Sequence, residues 1–175
     1  MKRLSLLLLF FSSVIIAIAQ ERKDFDFVIV VDDEFGSMSD PSHISLKKDN
    51  GDTENIEFFY HPGCLSLDMD DYNKLKTFAG KIELHFGWYK HTNGETRHYF
   101  YDIPFDPFEK KLFEASFVVI KIYNLDDKKY KKLYYPLEGK NYNFSLDTSE
   151  GIRGLLTKKE IKMLKRKKLW PTDSK

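Results

Sequence analysis

The chain has 175 residues, of which 42% are hydrophobic and 15% aromatic, and its formal net charge is +1. This apolar content excludes an intrinsically disordered protein, and the single cysteine excludes a disulfide within the chain. A chain of this length suits one domain with one core.

The first 19 residues follow the order of a secretory signal peptide. Met1-Lys2-Arg3 is basic, Leu4–Ala19 is uncharged, and Ala17-Ile18-Ala19 offers the small residues that signal peptidase accepts. The apolar run is shorter than the roughly 20 residues that a transmembrane helix needs. We therefore expect cleavage near Ala19, a domain over residues 20–154, and a secreted or periplasmic location.

Short apolar runs between turn residues predict strands in the first part of this domain. The first run is Phe25–Val31, and a polar loop is expected from Asp32 to Pro41. Two further runs, His43–Lys47 and Asn55–His61, flank Asp49-Asn50-Gly51-Asp52. An Asn-Gly pair is typical of tight hairpin turns, so these two runs are predicted to pair.

The clearest pattern is Lys81–Ile103, where two alternating runs flank an Asn93-Gly94 turn. A two-residue turn fixes the register and predicts these pairs: Thr92 with Glu95, His91 with Thr96, Tyr89 with His98, Gly87 with Phe100, and His85 with Asp102. The buried face of the hairpin is then predicted to carry Leu84, Phe86, Trp88, Tyr99, Tyr101 and Ile103. The opposite face is polar, as expected for a sheet with one solvated side.

The remaining segments are assigned by the same periodicities. Asp70–Ala79 has helical spacing, with Asp70 or Asp71 as the candidate cap. The other runs predict strands, of which the second is apolar enough to be central: Leu65–Met69, Ala115–Tyr123, Tyr130–Leu137 and Tyr142–Leu146.

The C-terminal segment, residues 155–175, has a different character. Thr157 and Glu160 have the spacing of a capping box, which predicts a helix start. Residues 157–175 hold eight basic and two acidic residues, whereas residues 20–156 hold 18 basic and 25 acidic ones. A basic helix can bind an anionic membrane or an acidic partner, or it can pack on the acidic body of its own domain. The candidate contact residues are Lys158, Lys162, Lys165, Arg166 and Trp170.

About eight short strands separated by turn signals predict an all-β protein. The expected architecture is an antiparallel β-sandwich, Ig-like or transthyretin-like in general shape, with a basic C-terminal helix. The alternating helices of a parallel α/β fold are not evident.

The polar face of the predicted hairpin carries the best candidate for a metal site. His91 and His98 are diagonal neighbours in the predicted register, and His85 faces Asp102. Imidazoles with a nearby carboxylate can bind zinc or copper. The alternative is a solvated sheet face that happens to carry histidines.

Other candidate groups have simpler structural interpretations. His61 and Cys64 flank Pro62-Gly63, which predicts a turn more directly than a metal or nucleophile pair. Acidic clusters at Asp32–Glu34 and Asp68–Asp71 lack the spacing of a calcium loop. The loop aromatics are either partner-binding residues or edge-of-core residues: Phe105, Phe108 and Trp170.

No nucleophile elbow, phosphate loop, dinucleotide fingerprint or zinc-protease motif is present. We therefore expect a non-enzymatic binding or structural domain of the bacterial envelope, with a protein or glycan partner and no nucleic acid. Two alternatives stay open: a periplasmic metal-binding protein, and a small secreted hydrolase whose site the sequence does not identify.

Overall fold

A computed structural model describes residues 21–35, 38–92, 94–105, 112–167 and 169. The signal peptide predicted over residues 1–19 lies outside this part of the chain, as do the candidate contact residues Phe108 and Trp170. Within the described part, no helix combines the length and apolar character needed to cross a membrane.

Most of the described chain is extended, and its helices are short. The strands are β1 Arg22–Val31, β2 Glu34–Phe35, β3 Met38–Lys47, β4 Thr53–Ile56, β5 Phe59–His61, β6 Gly63–Asp68, β7 Lys81–Thr92, β8 Glu95–Phe105, β9 Phe117–Asn124, β10 Tyr142–Thr148 and β11 Gly151–Arg153. The helices are α1 Met69–Thr77, α2 Lys128–Leu133 and α3 Lys158–Arg166.

The strands form two sheets, as expected for a sandwich-like all-β protein. The first sheet has the order β11-β10-β9-β1-β6-β5, with β2 also pairing with β1, and the second has the order β4-β3-β7-β8. Strand β1 is antiparallel to β6 and parallel to β9, while the other described strand pairs are antiparallel. The predicted all-antiparallel arrangement is therefore wrong at the β1–β9 pair.

The core lies between the sheets because alternate residues of each strand are apolar. In the first sheet, β1 turns Phe27 and Ile29 inward, and β9 turns Ile120 inward. The second sheet supplies the facing layer, in which the residues with almost no exposed surface include Ile44, Leu46, Leu84, Phe86, Tyr101 and Ile103.

The hairpin of β7 and β8 confirms the predicted register. Thr92 faces Glu95 across the turn, and the pairing continues to His85 with Asp102 and beyond. Gly94 has φ 81°, the left-handed conformation that such a turn needs. Strand β8 continues past Ile103, so Phe105 is a core residue with 5% exposure rather than a loop aromatic.

The strand predicted over Tyr130–Leu137 is wrong, because this segment begins as helix α2. The Asp127 carboxylate caps the helix by accepting a hydrogen bond of 2.7 Å from the Lys129 amide. The Tyr130 ring is buried and lies 5.1 Å from the Tyr123 ring. Tyr130, Leu133 and Tyr134 have the i, i+3, i+4 spacing of a helix, so the strand assignment overlooked a helical periodicity here.

Three other predictions are corrected in detail. The expected loop Asp32–Pro41 contains β2 and the start of β3. The segment Asn55–His61 is divided: its first part pairs with β3 as predicted, but β5 pairs with β6 in the other sheet. Helix α1 begins at Met69, so Asp70 and Asp71 lie in its first turn, where negative charge is favourable, instead of capping it.

A buried polar cluster, which we call the clasp, joins the two sheets. It consists of Asp32 and Asn124 from the first sheet and Lys90 and Tyr101 from the second. The Asp32 carboxylate accepts from the Asn124 amide at 2.8 Å, from Asn124 Nδ2 at 2.9 Å and from Lys90 Nζ at 2.7 Å. The Tyr101 hydroxyl donates to Asn124 Oδ1 at 2.9 Å. Every side chain of the clasp is thus hydrogen-bonded, as burial requires.

The backbone at the clasp is held in an uncommon conformation. Asp32 and Asp33 have φ of 54° and 67°, which makes the turn between β1 and β2 a two-residue turn of left-handed residues. Burial disfavours the Lys90 ammonium, but the hydrogen bond and charge of Asp32 outweigh burial and raise the pKa of Lys90. The clasp therefore holds an ion pair, Asp32 with Lys90, between the sheets.

We expect Asp32→Asn to destabilise the fold by about 2–3 kcal/mol, because it leaves the Lys90 ammonium without its counter-charge. Asp33→Asn is the matched control, since Asp33 occupies the same turn but its side chain is 58% exposed beside Lys129. The control should cost less than about 1 kcal/mol. Urea unfolding of both variants measures the difference, and equal losses would contradict a structural role for the clasp.

Candidate functional site

The solvent-facing side of the β7–β8 hairpin concentrates the chemistry-bearing residues of the second sheet. Its inner side is committed to the core, so the outer side is available for contacts. We call this surface the outer hairpin face, and it consists of His85, Gly87, Tyr89, His91, His98, Phe100 and Asp102.

Three neighbouring rings on this face, those of Tyr89, His98 and Phe100, form what we call the aromatic row, in which the first two are stacked and the third is tilted. The centroids of Tyr89 and His98 are 4.3 Å apart with an interplanar angle of 21°, and those of His98 and Phe100 are 4.2 Å apart. Tyr89 is 50% exposed and Phe100 is 58% exposed. An apolar ring with this exposure, held by its neighbours, is a feature of surfaces that bind partners.

A hydrogen bond across the sheet fixes the position of His98. Ser39 Oγ of β3 lies 2.7 Å from His98 Nε2 of β8, so the bond passes over β7 at Gly87. A Cβ atom at Gly87 would lie 2.3 Å from Ser39 Oγ and 2.6 Å from His98 Nε2. Glycine at this position is therefore what allows the aromatic row to be anchored from β3.

A second group of polar residues lies further along the same face. His85 Nδ1 is 2.7 Å from Asp102 Oδ1, and Lys140 donates to the other oxygen of Asp102. Burial opposes ionisation of Asp102, but the hydrogen bonds from Lys140 and His85 outweigh burial and lower its pKa. Asp102 therefore remains a carboxylate at neutral pH and orients His85.

The ring of His43 covers His85, with centroids 4.8 Å apart and an interplanar angle of 19°. His85 Nε2 is consequently buried without a hydrogen-bond partner, and Glu83 Oε2, at 3.4 Å, lies outside hydrogen-bonding geometry. Burial and the charge of His85 lower the pKa of His43, although Asp102 acts in the opposite direction. The outer ring of this stack, His43, is thus held in its neutral form.

His43 also lines a cleft of about 550 Å³ to which β1, β3, β4, β5 and β6 contribute residues. The guanidinium of Arg22 in this cleft is already bound to Asp68 at 3.1 Å and to Ser66 Oγ at 2.9 Å. Among the described residues, no Ser, Thr or Cys side chain is hydrogen-bonded to His43 or His85. The arrangement therefore resembles a base and its orienting acid without an activated nucleophile.

The residues predicted to bind zinc or copper are on one face but engage different partners. His91 Nδ1 is 2.8 Å from Thr96 Oγ1, His98 is bound to Ser39, and His85 to Asp102. Within the described ranges, no group of three His, Cys, Asp or Glu side chains is placed to hold a metal ion. Zinc or copper binding stays a prediction from the sequence.

The candidate membrane or partner residues Lys158, Lys162, Lys165 and Arg166 lie on α3. The capping box forms between Thr157 and Glu160, with Thr157 N donating to Glu160 Oε2 at 2.7 Å. The Lys158 ammonium donates to the Lys131 carbonyl oxygen at 2.6 Å, which links α3 to α2. Binding of a membrane or partner by this helix stays a prediction.

The other candidate groups serve local structure. His61 faces Cys64 across the Pro62-Gly63 turn, where Gly63 has φ 99°, and Cys64 is half-buried. Among the acidic clusters, Asp68 binds Arg22 and Asp71 lies 3.2 Å from Lys74. Their carboxylates are thus neutralised by basic side chains.

Sequence reasoning missed His43, Phe100 and Lys140 as site residues. Phe100 could have been found from the sequence, because the predicted register places this apolar residue on the polar face of the hairpin. His43 and Lys140 could not, since the pairing of β3 with β7 and the reach of Lys140 to Asp102 depend on tertiary structure.

The two sheets and the outer hairpin face define a β-rich, sandwich-like protein with an aromatic row on its second sheet. Comparison with protein-family models, curated proteins and solved structures found no match.

We expect Gly87→Ala to break the bond between Ser39 and His98, since the added Cβ would overlap both side chains. The His98 ring signals should shift in NMR spectra, with a stability loss of about 1–3 kcal/mol from overpacking. Gly154→Ala is the control, because a Cβ there meets nothing within 4 Å. Unchanged His98 signals in the Gly87 variant would exclude this anchoring role.

We expect His43 to make the protein less stable in mild acid. Its pKa is lower in the folded protein than in the unfolded chain, so the unfolded chain takes up the proton first as the pH falls below about 6.5. His43→Gln should reduce the slope of unfolding free energy against pH between pH 7.5 and the folded pKa. Ser42→Ala is the control, because it changes the same cleft but removes no titrating group. It should shift the plot of unfolding free energy against pH without altering its slope.

Proposed function

We propose that the protein is an exported binding domain of the bacterial envelope, and that its partner contacts the aromatic row. The observation that carries this proposal is the exposure of Tyr89 and Phe100 on either side of a hydrogen-bonded His98. Aromatic side chains have few rotatable bonds, so their immobilisation on binding costs little entropy. The row is pre-organised, which lowers that cost further.

Export of the domain is supported by the sequence of residues 1–19, which has the composition of a cleavable leader. A bacterial periplasm or envelope fits a chain with one cysteine, since its core is held by packing. The two-sheet arrangement supports an Ig-like or transthyretin-like sandwich, folds that carry many unrelated binding functions.

A protein partner fits the aromatic row better than a glycan. The face of the Tyr89 ring that meets His98 is covered by the stack, with the two planes only 21° apart. The stack leaves less open aromatic face for a sugar ring to cover, whereas a protein surface can pack against ring edges and the exposed part of Phe100.

Catalysis has less support than binding. The imidazole that Asp102 orients, His85, has its outer nitrogen buried beneath His43. A general base must reach the proton that it removes. The His43 cleft is therefore the place to look for activity if the binding proposal fails.

We expect Tyr89→Ser combined with Phe100→Ser to weaken partner binding at least about tenfold, the loss typical of central interface aromatics. The purified protein, immobilised at one site, would be used to capture proteins from an envelope extract of the source bacterium. The captured protein would be identified by mass spectrometry, and its affinity would be measured by titration. Phe35→Ser is the matched control, because Phe35 is 71% exposed on the other sheet. Equal capture by the wild-type protein, the double variant and the Phe35→Ser variant would contradict the proposal.

A further inference from the structure

One edge of the second sheet, strand β8, has a short stretch of backbone whose hydrogen-bonding groups are open. Strand β8 is the last strand of that sheet, and only β7 pairs with it among the described strands. In a two-residue hairpin, the residues that flank the turn form a hydrogen-bonded pair, here Thr92 and Glu95. Alternation then directs the peptide groups of Thr96, His98 and Phe100 away from β7.

The contact at Asp102 supports this assignment and closes one end of the stretch. The Asp102 amide donates to the Tyr142 hydroxyl at 2.8 Å, and that hydroxyl donates to the Asp102 carbonyl oxygen at 2.7 Å. Asp102 therefore also points its peptide groups outward, but Tyr142 has satisfied them. Gly94 in the turn closes the other end.

From this geometry we infer that β8 pairs with β8 of a second copy of the chain, antiparallel about a two-fold axis at His98. The free stretch is symmetric about His98, so the same stretch in another copy matches it in length. Thr96 would face Phe100 of the second copy, and His98 would face His98 of the second copy. Each facing pair exchanges two hydrogen bonds, which leaves none of these outward groups unpaired.

Charge disfavours the register shifted toward the turn. If the two-fold axis lay at Arg97, each residue would face a partner two positions closer to the turn, and Arg97 would face Arg97 of the second copy. Such a like-charge contact destabilises a sheet. A further shift would leave the Phe100 peptide groups unpaired. With the axis at His98, Arg97 instead faces Tyr99 of the second copy.

The inference goes beyond the proposed binding function and is compatible with it. Pairing at β8 joins two four-stranded sheets into one continuous sheet and brings two aromatic rows together on one side. It also covers part of the exposed Phe100 ring and removes an open edge, which soluble proteins protect from uncontrolled pairing. The partner would then meet a two-fold symmetric surface.

The test is sedimentation equilibrium of the purified protein over a wide concentration range. We expect a monomer–dimer equilibrium that His98→Pro weakens by more than about tenfold, because proline removes an outward N–H while the β7 hydrogen bonds stay intact. His98→Ala is the matched control, since it removes the same side chain but keeps the N–H, and it should remain dimeric. A monomer at all concentrations would overturn the inference, as would equal dimerisation of the Pro and Ala variants.

A disulfide provides a measurement that does not depend on a proline variant folding. In a Cys64→Ala background, His98→Cys should form a disulfide-linked dimer under mild oxidation, since residues facing each other in such a pair are within disulfide reach. His91→Cys, exposed on the same face but on β7, should not. If the protein were monomeric at all concentrations but still captured a partner in a way that depends on Tyr89, the dimer inference would be wrong. The proposed function would still hold.

Discussion

The ion pair between Asp32 and Lys90 is the interaction on which the relative placement of the two sheets depends. It lies at the end of both sheets, where β1 turns into β2 and where β7 passes toward its hairpin. Apolar packing between two sheets permits small shifts of one sheet over the other. A buried carboxylate that accepts three hydrogen bonds does not, because a shift would break them. The clasp therefore converts a generic apolar interface into one register, and the outer hairpin face inherits its position from that register.

Local sequence signals were sufficient where one turn determined the structure. The Asn93-Gly94 pair fixed the register of β7 and β8, and the capping box at Thr157 fixed the start of α3. These signals operate over a few residues and involve strong backbone preferences. They could therefore be read without knowing the rest of the fold.

Other elements depended on contacts between residues far apart in the sequence. Tyr130 could begin a strand or a helix, and the Asp127 cap together with the Tyr123 ring selects the helix. The stacking of His43 on His85 depends on the pairing of β3 with β7, which no turn specifies. Of the candidate site, the hairpin half was thus readable from the sequence, and the half supplied by β3 and Lys140 was not.

The parallel pairing of β1 with β9 has a consequence for how the chain reaches its native state. The two strands are separated in sequence by seven other strands and a helix, yet they lie side by side. During synthesis the strand β1 emerges long before β9, so the segment from Phe25 to Val31 lacks one of its neighbouring strands until that part of the chain appears. Contacts of such long range slow folding and prolong the time for which the apolar surface of β1 is exposed to aggregation.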